Sequence, residues 1–218
     1  MSVRPPAKLK ICGVTHLDDV DACLAHGVDA IGLNLWPRSP RALTVAQALP
    51  LVHRARQGRP TVQLVGVVVD PDPASLREQL AVLQLDAVQL HGDAAVDGYG
   101  DLGVPYVWVL RGTPPLDAVR LPAPAPAWIL LDAKVPHYGG QGVTTDWSWA
   151  RGAVERLSPA PVWLAGGITP DNAAQALQTV GPAGLDVASG AEPKGDPRRK
   201  DPAKIAALAA ICHNRSAP

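Results

Sequence analysis

The chain has 218 residues, and its 20 basic and 20 acidic residues cancel, so no global charge points to nucleic acid or an anionic membrane. Hydrophobic residues make up 47%, enough for a sizeable core, yet the apolar runs are strand-sized and none is long enough to span a bilayer. The N-terminal MSVRPPAKLK lacks the apolar centre of a signal peptide, and three cysteines (Cys12, Cys23, Cys212) make no disulfide framework; a cytoplasmic protein is expected.

Taken in chain order, β-rich apolar runs predict strands at 8–12, 29–35, 62–69, 86–90, 105–110, 127–132, 161–165 and 184–188. Helical patterning between them predicts helices at 16–26, 44–56, 73–84, 93–101, 115–120, 146–156, 170–180 and 201–213. Three helix starts carry capping signals: Thr15 with Asp18, Thr169-Pro170 and Asp201-Pro202. The fifth helix is the weakest, because Thr113-Pro114-Pro115 and the alternating prolines of 121–126 crowd it from both sides.

Eight strands each followed by a helix predict an α/β fold: a single-domain (β/α)8 TIM barrel with a closed parallel sheet over residues 1–218. A doubly wound open sheet is the rival, but no Gly-x-Gly-x-x-Gly turn follows the first strand.

Side chains alternate along a strand, so parity assigns the barrel interior. Lys8, Lys10 and Cys12 share the inner face of the first strand; the second strand contributes Gly32, Asn34 and Trp36, the fourth Gln89 and His91, the sixth Trp128, Leu130 and Asp132, and the eighth Asp186. Cys12, His91 and Asp132 then converge at the carboxyl end of the barrel, where such folds carry their chemistry. Cys12 there has three possible roles: base, nucleophile or inert small hydrophobe. A nucleophile needs a histidine partner, and His91 lies about opposite in an eight-strand ring; His16, His26, His53, His137 and His213 read as surface residues. His91 and Asp132 alone are too few ligands for a metal. Lys10 and Asp186 face each other where the last strand closes against the first, and a buried pair beneath Cys12 is expected to favour its thiolate.

Loops on the same face point to anions. Ala165-Gly166-Gly167-Ile168-Thr169 and Ala188-Ser189-Gly190-Ala191 follow the last two strands, the usual phosphate position in such barrels. Trp36-Pro37-Arg38-Ser39-Pro40-Arg41 offers two arginines for a carboxylate fork, without indicating which points inward. The glycine-rich 138–142 suits a closing loop or a plain surface loop.

In this order, KICGVT, GLNLWPRSPR, VQLHGD, LLDAKVPHYGGQG, WLAGGITPDN and GLDVASGAE resemble phosphoribosylanthranilate isomerase of tryptophan biosynthesis, along nearly the whole chain. The resemblance implies an Amadori rearrangement of N-(5-phosphoribosyl)anthranilate without metal or cofactor, acting on a small phosphosugar as a monomer or homodimer. It implies Cys12 as general base at C2′, Asp132 as general acid on the ring oxygen, and Arg41 near the anthranilate carboxylate. The substrate-binding set is Arg41, His91, Gly140, Gly166, Gly167, Asp186, Ser189 and Gly190. Ala188 stands where many relatives have serine, and Leu33 and Leu35 where they have an aromatic pair; neither departure touches the acid or base. A metal-dependent phosphosugar epimerase and a non-catalytic phosphosugar-binding barrel are the alternatives; the latter has no need for both Cys12 and Asp132.

Overall fold

Eight parallel strands close into a barrel in sequential order, β1 to β8, in the computed structural model, which describes residues 5–92, 99, 102–133 and 145–214. The strands are β1 (Lys8–Cys12), β2 (Ala30–Asn34), β3 (Gln63–Val69), β4 (Ala87–His91), β5 (Tyr106–Arg111), β6 (Trp128–Asp132), β7 (Val162–Leu164) and β8 (Gly184–Val187). Six helices surround them among the described residues: α1 (Leu17–Ala25), α2 (Val45–Gly58), α3 (Pro73–Leu83), α4 (Trp147–Leu157), α5 (Ala173–Val180) and α6 (Pro202–His213). None of these is long and apolar enough to cross a membrane.

Period-two alternation divides the apolar residues into two cores. Outward-facing Leu9, Ile11, Ile31, Leu33, Ile129 and Leu131 join the inner faces of the helices, where Cys23 and Cys212 are also fully buried. Inward-facing Ala30, Val65, Ala87, Val107, Trp128, Leu130, Trp163 and Ala165 make a second cluster inside the barrel. Trp128 and Trp163 stack there with ring centroids 5.0 Å apart. Small neighbours leave room for them: a Cβ on Gly184 would approach the Trp163 ring to 2.7 Å. The indoles thus plug the lower barrel, and the charged layer of Lys10 and Asp186 lies in register above Lys8 and Gly184.

Several helix starts follow local rules. Thr44 and Gln47 form a reciprocal capping box on α2. Asp72, Asp146 and Asp201 each accept backbone N–H bonds at the start of α3, α4 and α6, with Pro73 and Pro202 in the first turn. Two expected caps fail. Thr15 does not cap α1, which starts from His16 without a side-chain bond; the Thr15 hydroxyl donates instead to the Arg198 carbonyl. Thr169-Pro170 does not open a helix either: Asn172 accepts the Thr169 N–H in a tight turn, and α5 begins only at Ala173. A helix at 115–120 does not form; only a turn spans 116–118. The prolines around it remove backbone donors and bar helical geometry before each ring. The expected helix at 93–101, apart from residue 99, lies outside the described residues, as do His137, the 138–142 loop and with it Gly140.

Candidate active site

At the carboxyl end of the strands a cavity of about 720 Å³ opens, lined by Cys12 from β1, His91 from β4, Asp132 from β6 and Asp186 from β8. Gly166, Gly167, Ser189, Gly190 and Arg41 line the same cavity from the connecting loops. Strand parity explains the first group, since each of these side chains occupies an inward position at or near a strand end. Gly140 cannot be placed, being outside the described residues.

Beneath Cys12 the Lys10 ammonium donates to Asp186 Oδ2 at 2.7 Å, with both side chains almost entirely buried. Burial works against the Lys10 charge, but Asp186 and the Cys12 sulfur outweigh it and hold the ammonium above its ordinary range. Burial pushes the Cys12 thiol up, while the Lys10 charge pulls it back toward the thiolate. Asp186 Oδ1 is buried without a partner among the described residues and belongs to the cavity wall, so it is a ready acceptor for a ligand donor.

Asp132 is 5% exposed, and its carboxyl is pushed up to about 6, first by burial and then by the Asp186 charge. That places a carboxylic acid within reach of neutral pH in its proton-bearing form. His91 is driven down to about 3 by burial and by Lys10 and Arg111, so it is a neutral imidazole. The Gln89 amide donates to its Nε2 at 2.7 Å, and His91 Nδ1 has no partner among the described residues. Among those residues, no group of three or more His, Cys, Asp or Glu side chains is placed to hold a metal ion.

Tertiary packing separates the two loop arginines. Arg38 lies exposed over the Trp36 ring at 5.0 Å, whereas Arg41 is 8% exposed and turns into the cavity wall. The expected fork for a ligand carboxylate is here engaged by a protein carboxylate. Arg41 Nε donates to Glu192 Oε1 at 2.6 Å and Nη2 donates to Oε2 at 2.9 Å. Glu192 Oε1 also accepts from Lys200 Nζ at 2.8 Å.

Neither Glu192 nor Lys200 stands out in the sequence. Lys200 closes the run Arg198-Arg199-Lys200, three adjacent charges of a kind that commonly face solvent. Each member instead turns to a partner: Arg198 to the carbonyls of Pro40 and Ala42, Arg199 to Asp19, and Lys200 to Glu192. The usable signal was their position just beyond the second glycine turn.

The two glycine turns pack against each other. A Cβ on Gly190 would lie 1.8 Å from the Ile168 carbonyl oxygen, so only glycine lets the 3₁₀ turn Ser189–Ala191 approach the loop after β7. Gly166 and Gly167 in that loop, with Ser189 and Gly190 opposite, make a polar backbone rim to the cavity.

Comparison with known proteins matches this architecture along most of the chain. The family model for N-(5'phosphoribosyl)anthranilate (PRA) isomerase matches residues 9–210. The N-(5'-phosphoribosyl)anthranilate isomerase of Myxococcus xanthus (strain DK1622) is 43% identical over 196 residues, covering 88% of each chain. The crystal structure of phosphoribosyl anthranilate isomerase from Thermotoga maritima superimposes with a TM-score of 0.80 at 29% identity, covering 94% of this chain and 98% of that one. A further structure of this isomerase, in complex with reduced 1-(o-carboxyphenylamino)-1-deoxyribulose 5-phosphate, gives a TM-score of 0.77 at 25% identity, covering 94% of this chain and 98% of that one. With the family model spanning every strand of the barrel and a relative of this similarity along most of the chain, the protein belongs to the N-(5'-phosphoribosyl)anthranilate isomerase family.

Proposed function

We infer that this chain is an intramolecular oxidoreductase. It converts N-(5-phosphoribosyl)anthranilate into 1-(2-carboxyphenylamino)-1-deoxyribulose 5-phosphate in tryptophan biosynthesis. One observation carries the reading beyond family membership: Cys12 and the raised carboxyl of Asp132 line one cavity whose rim holds two glycine turns. We take the whole chain as one barrel domain working in the cytoplasm as a monomer or homodimer, with neither metal nor cofactor.

In this mechanism the substrate phosphate sits against Gly166, Gly167, Ser189 and Gly190, which supply backbone N–H donors. The protonated Asp132 gives its proton to the furanose ring oxygen as the C1′–O bond breaks, and the anilino nitrogen lone pair forms the C1′–N double bond. The cationic nitrogen acidifies C2′–H, and the Cys12 thiolate removes that proton. The C2′–H electrons form the C1′–C2′ double bond and neutralise the nitrogen. Ketonisation of this enolamine adds a proton at C1′ and releases the one on O2′. In this reading Asp186 Oδ1 and His91 Nδ1, both without partners among the described residues, hold sugar hydroxyls, and Arg41 binds the anthranilate carboxylate.

Incubating the protein with freshly formed phosphoribosylanthranilate tests the reading directly. Loss of anthranilate fluorescence at an enzyme-dependent rate is expected; an inactive protein that still binds the phosphosugar would overturn it.

Two narrower results follow from the geometry. Lys10→Met removes the cation that opposes burial of the Cys12 thiol. The thiol pKa, read by the pH dependence of alkylation at Cys12, is expected to rise further above its ordinary range. An unchanged value removes Lys10 from the activation of Cys12. Gly190→Ala forces a Cβ into the Ile168 carbonyl, backbone against backbone. KM for substrate is expected to rise roughly 10-fold or more as the phosphate turns separate, with kcat much less affected. An unaltered KM would place the phosphate elsewhere.

A further inference from the structure

The wall containing Arg41 is built from three charged side chains on two connecting segments, none more than a tenth exposed: Arg41 after β2, and Glu192 and Lys200 between β8 and α6. Glu192 takes both Nε and Nη2 of Arg41, so the plane of the guanidinium is held by two bonds to one carboxylate. The packing beneath is equally specific. Gly13 sits at φ +73°, and a Cβ there would lie 2.3 Å from Arg41 Cδ, so the arginine stem crosses the turn after β1 where only glycine leaves space.

Lys200 does not line the cavity, yet its ammonium donates to Glu192 Oε1 at 2.8 Å and to the Ala188 carbonyl at 3.2 Å. Two cations therefore share one carboxylate. Arg41 and Glu192 by themselves form a neutral pair; Lys204, which lines the cavity, donates from its ammonium to the Glu192 carbonyl and not to the carboxylate. Burial works against the Lys200 charge and the Glu192 carboxylate supports it. The ammonium leaves the buried trio one positive charge in excess, which costs free energy unless an anion arrives to meet it. Arg41 and Glu192 face the cavity where that anion enters, and the glycine turns already provide for the phosphate.

We propose that Lys200 and Glu192 are specificity-determining positioning residues. Glu192 orients Arg41, and Lys200 keeps the cluster one charge positive, so that the site selects an aromatic amine carrying a carboxylate. The proposal rests on the isomerase reading above and concerns the amine half of the same substrate.

The test compares two substrates in each protein: the phosphoribosyl adducts of anthranilate and of aniline, which differ only by the carboxylate. Wild type is expected to prefer the anthranilate adduct in kcat/KM. In Lys200→Met that preference is expected to shrink roughly 10-fold or more, through a higher KM for the anthranilate adduct alone. Lys200→Gln, which keeps a donor toward Glu192 and Ala188, is expected to shrink it likewise. The ratio is measured within one preparation, so a reduced folded fraction cancels, as does any change in the field at Cys12. A ratio unchanged in both variants, or a parallel fall for both adducts, overturns the proposal. Wild type turning over neither adduct would instead overturn the isomerase reading itself.

Discussion

Asp132→Asn is expected to lower kcat by about 100- to 10,000-fold, the range typical for loss of a positioned general acid, and at the same time to stabilise the empty protein. Both effects have one cause. Burial and the Asp186 charge push the Asp132 carboxyl from its ordinary 3.8 up to about 6, so the folded protein resists the carboxylate form. Below pH 3.8 the group is protonated in folded and unfolded chains alike and has no effect. Between there and about 6 the unfolded chain releases its proton and the folded one does not, so stability falls as pH rises. Above 6 the penalty is complete, and the gap between the two values corresponds to about 3 kcal/mol. Asparagine carries no charge and escapes this. Urea titrations are expected to show the variant more stable than wild type at pH 8, with the gain vanishing near pH 4. A variant less stable at pH 8 would mean that the Asp132 carboxylate is held by favourable partners and is no acid held ready for proton donation.

Cys12→Ser is expected to cost about 100- to 10,000-fold in kcat, because a serine hydroxyl does not ionise at accessible pH and the Lys10 charge beneath it has no thiolate to favour. The pH profile makes the expectation sharper. Burial places the thiol above its ordinary range, well above the value of about 6 at Asp132. The reactive arrangement, thiolate with carboxylic acid, is then the minor form of a pair that holds one proton between them. For wild type, kcat/KM is expected to rise with pH to about 6, remain level, and fall only as the thiol range is reached. The acid limb belongs to Asp132 and the alkaline limb to Cys12, the reverse of what their roles suggest. The residual activity of Asp132→Asn, which needs only the thiolate, is expected to lack the limb near pH 6 and to rise instead as the thiol range is reached. A limb that stays near pH 6 in that variant would remove Asp132 from the proton inventory.

Strand parity made much of the cavity legible. Alternation is a local property of extended chain, so Lys10 and Cys12, Trp128 and Asp132, and Asp186 are placed inside the barrel by counting alone. The Lys10–Asp186 contact followed from barrel closure, which sets β8 beside β1. Helix 115–120 does not form, because the backbone donors that the flanking prolines lack are not offset by a suitable apolar pattern. The caps at Thr15 and Thr169 failed for another reason. A hydroxyl takes whichever acceptor the fold presents, and for Thr15 that is a carbonyl 183 residues away.

What the amino-acid sequence determined by itself is thus what short-range regularity encodes: eight strands, their inward faces, and the thiol, carboxyl and glycine turns at one end. What only the tertiary structure decided lies on irregular segments, where no period relates a residue to its direction. Arg38 and Arg41 sit in one loop, and only packing over Gly13 and the bond to Glu192 turn the second inward. Lys200 ends a run of three basic residues, and only the closed fold sets its ammonium against Glu192 and the Ala188 carbonyl, although burial works against the charge. Arg41 meets Glu192 across 151 residues, so the charge balance of the trio is a property of the closed fold and not of the 192–200 stretch alone.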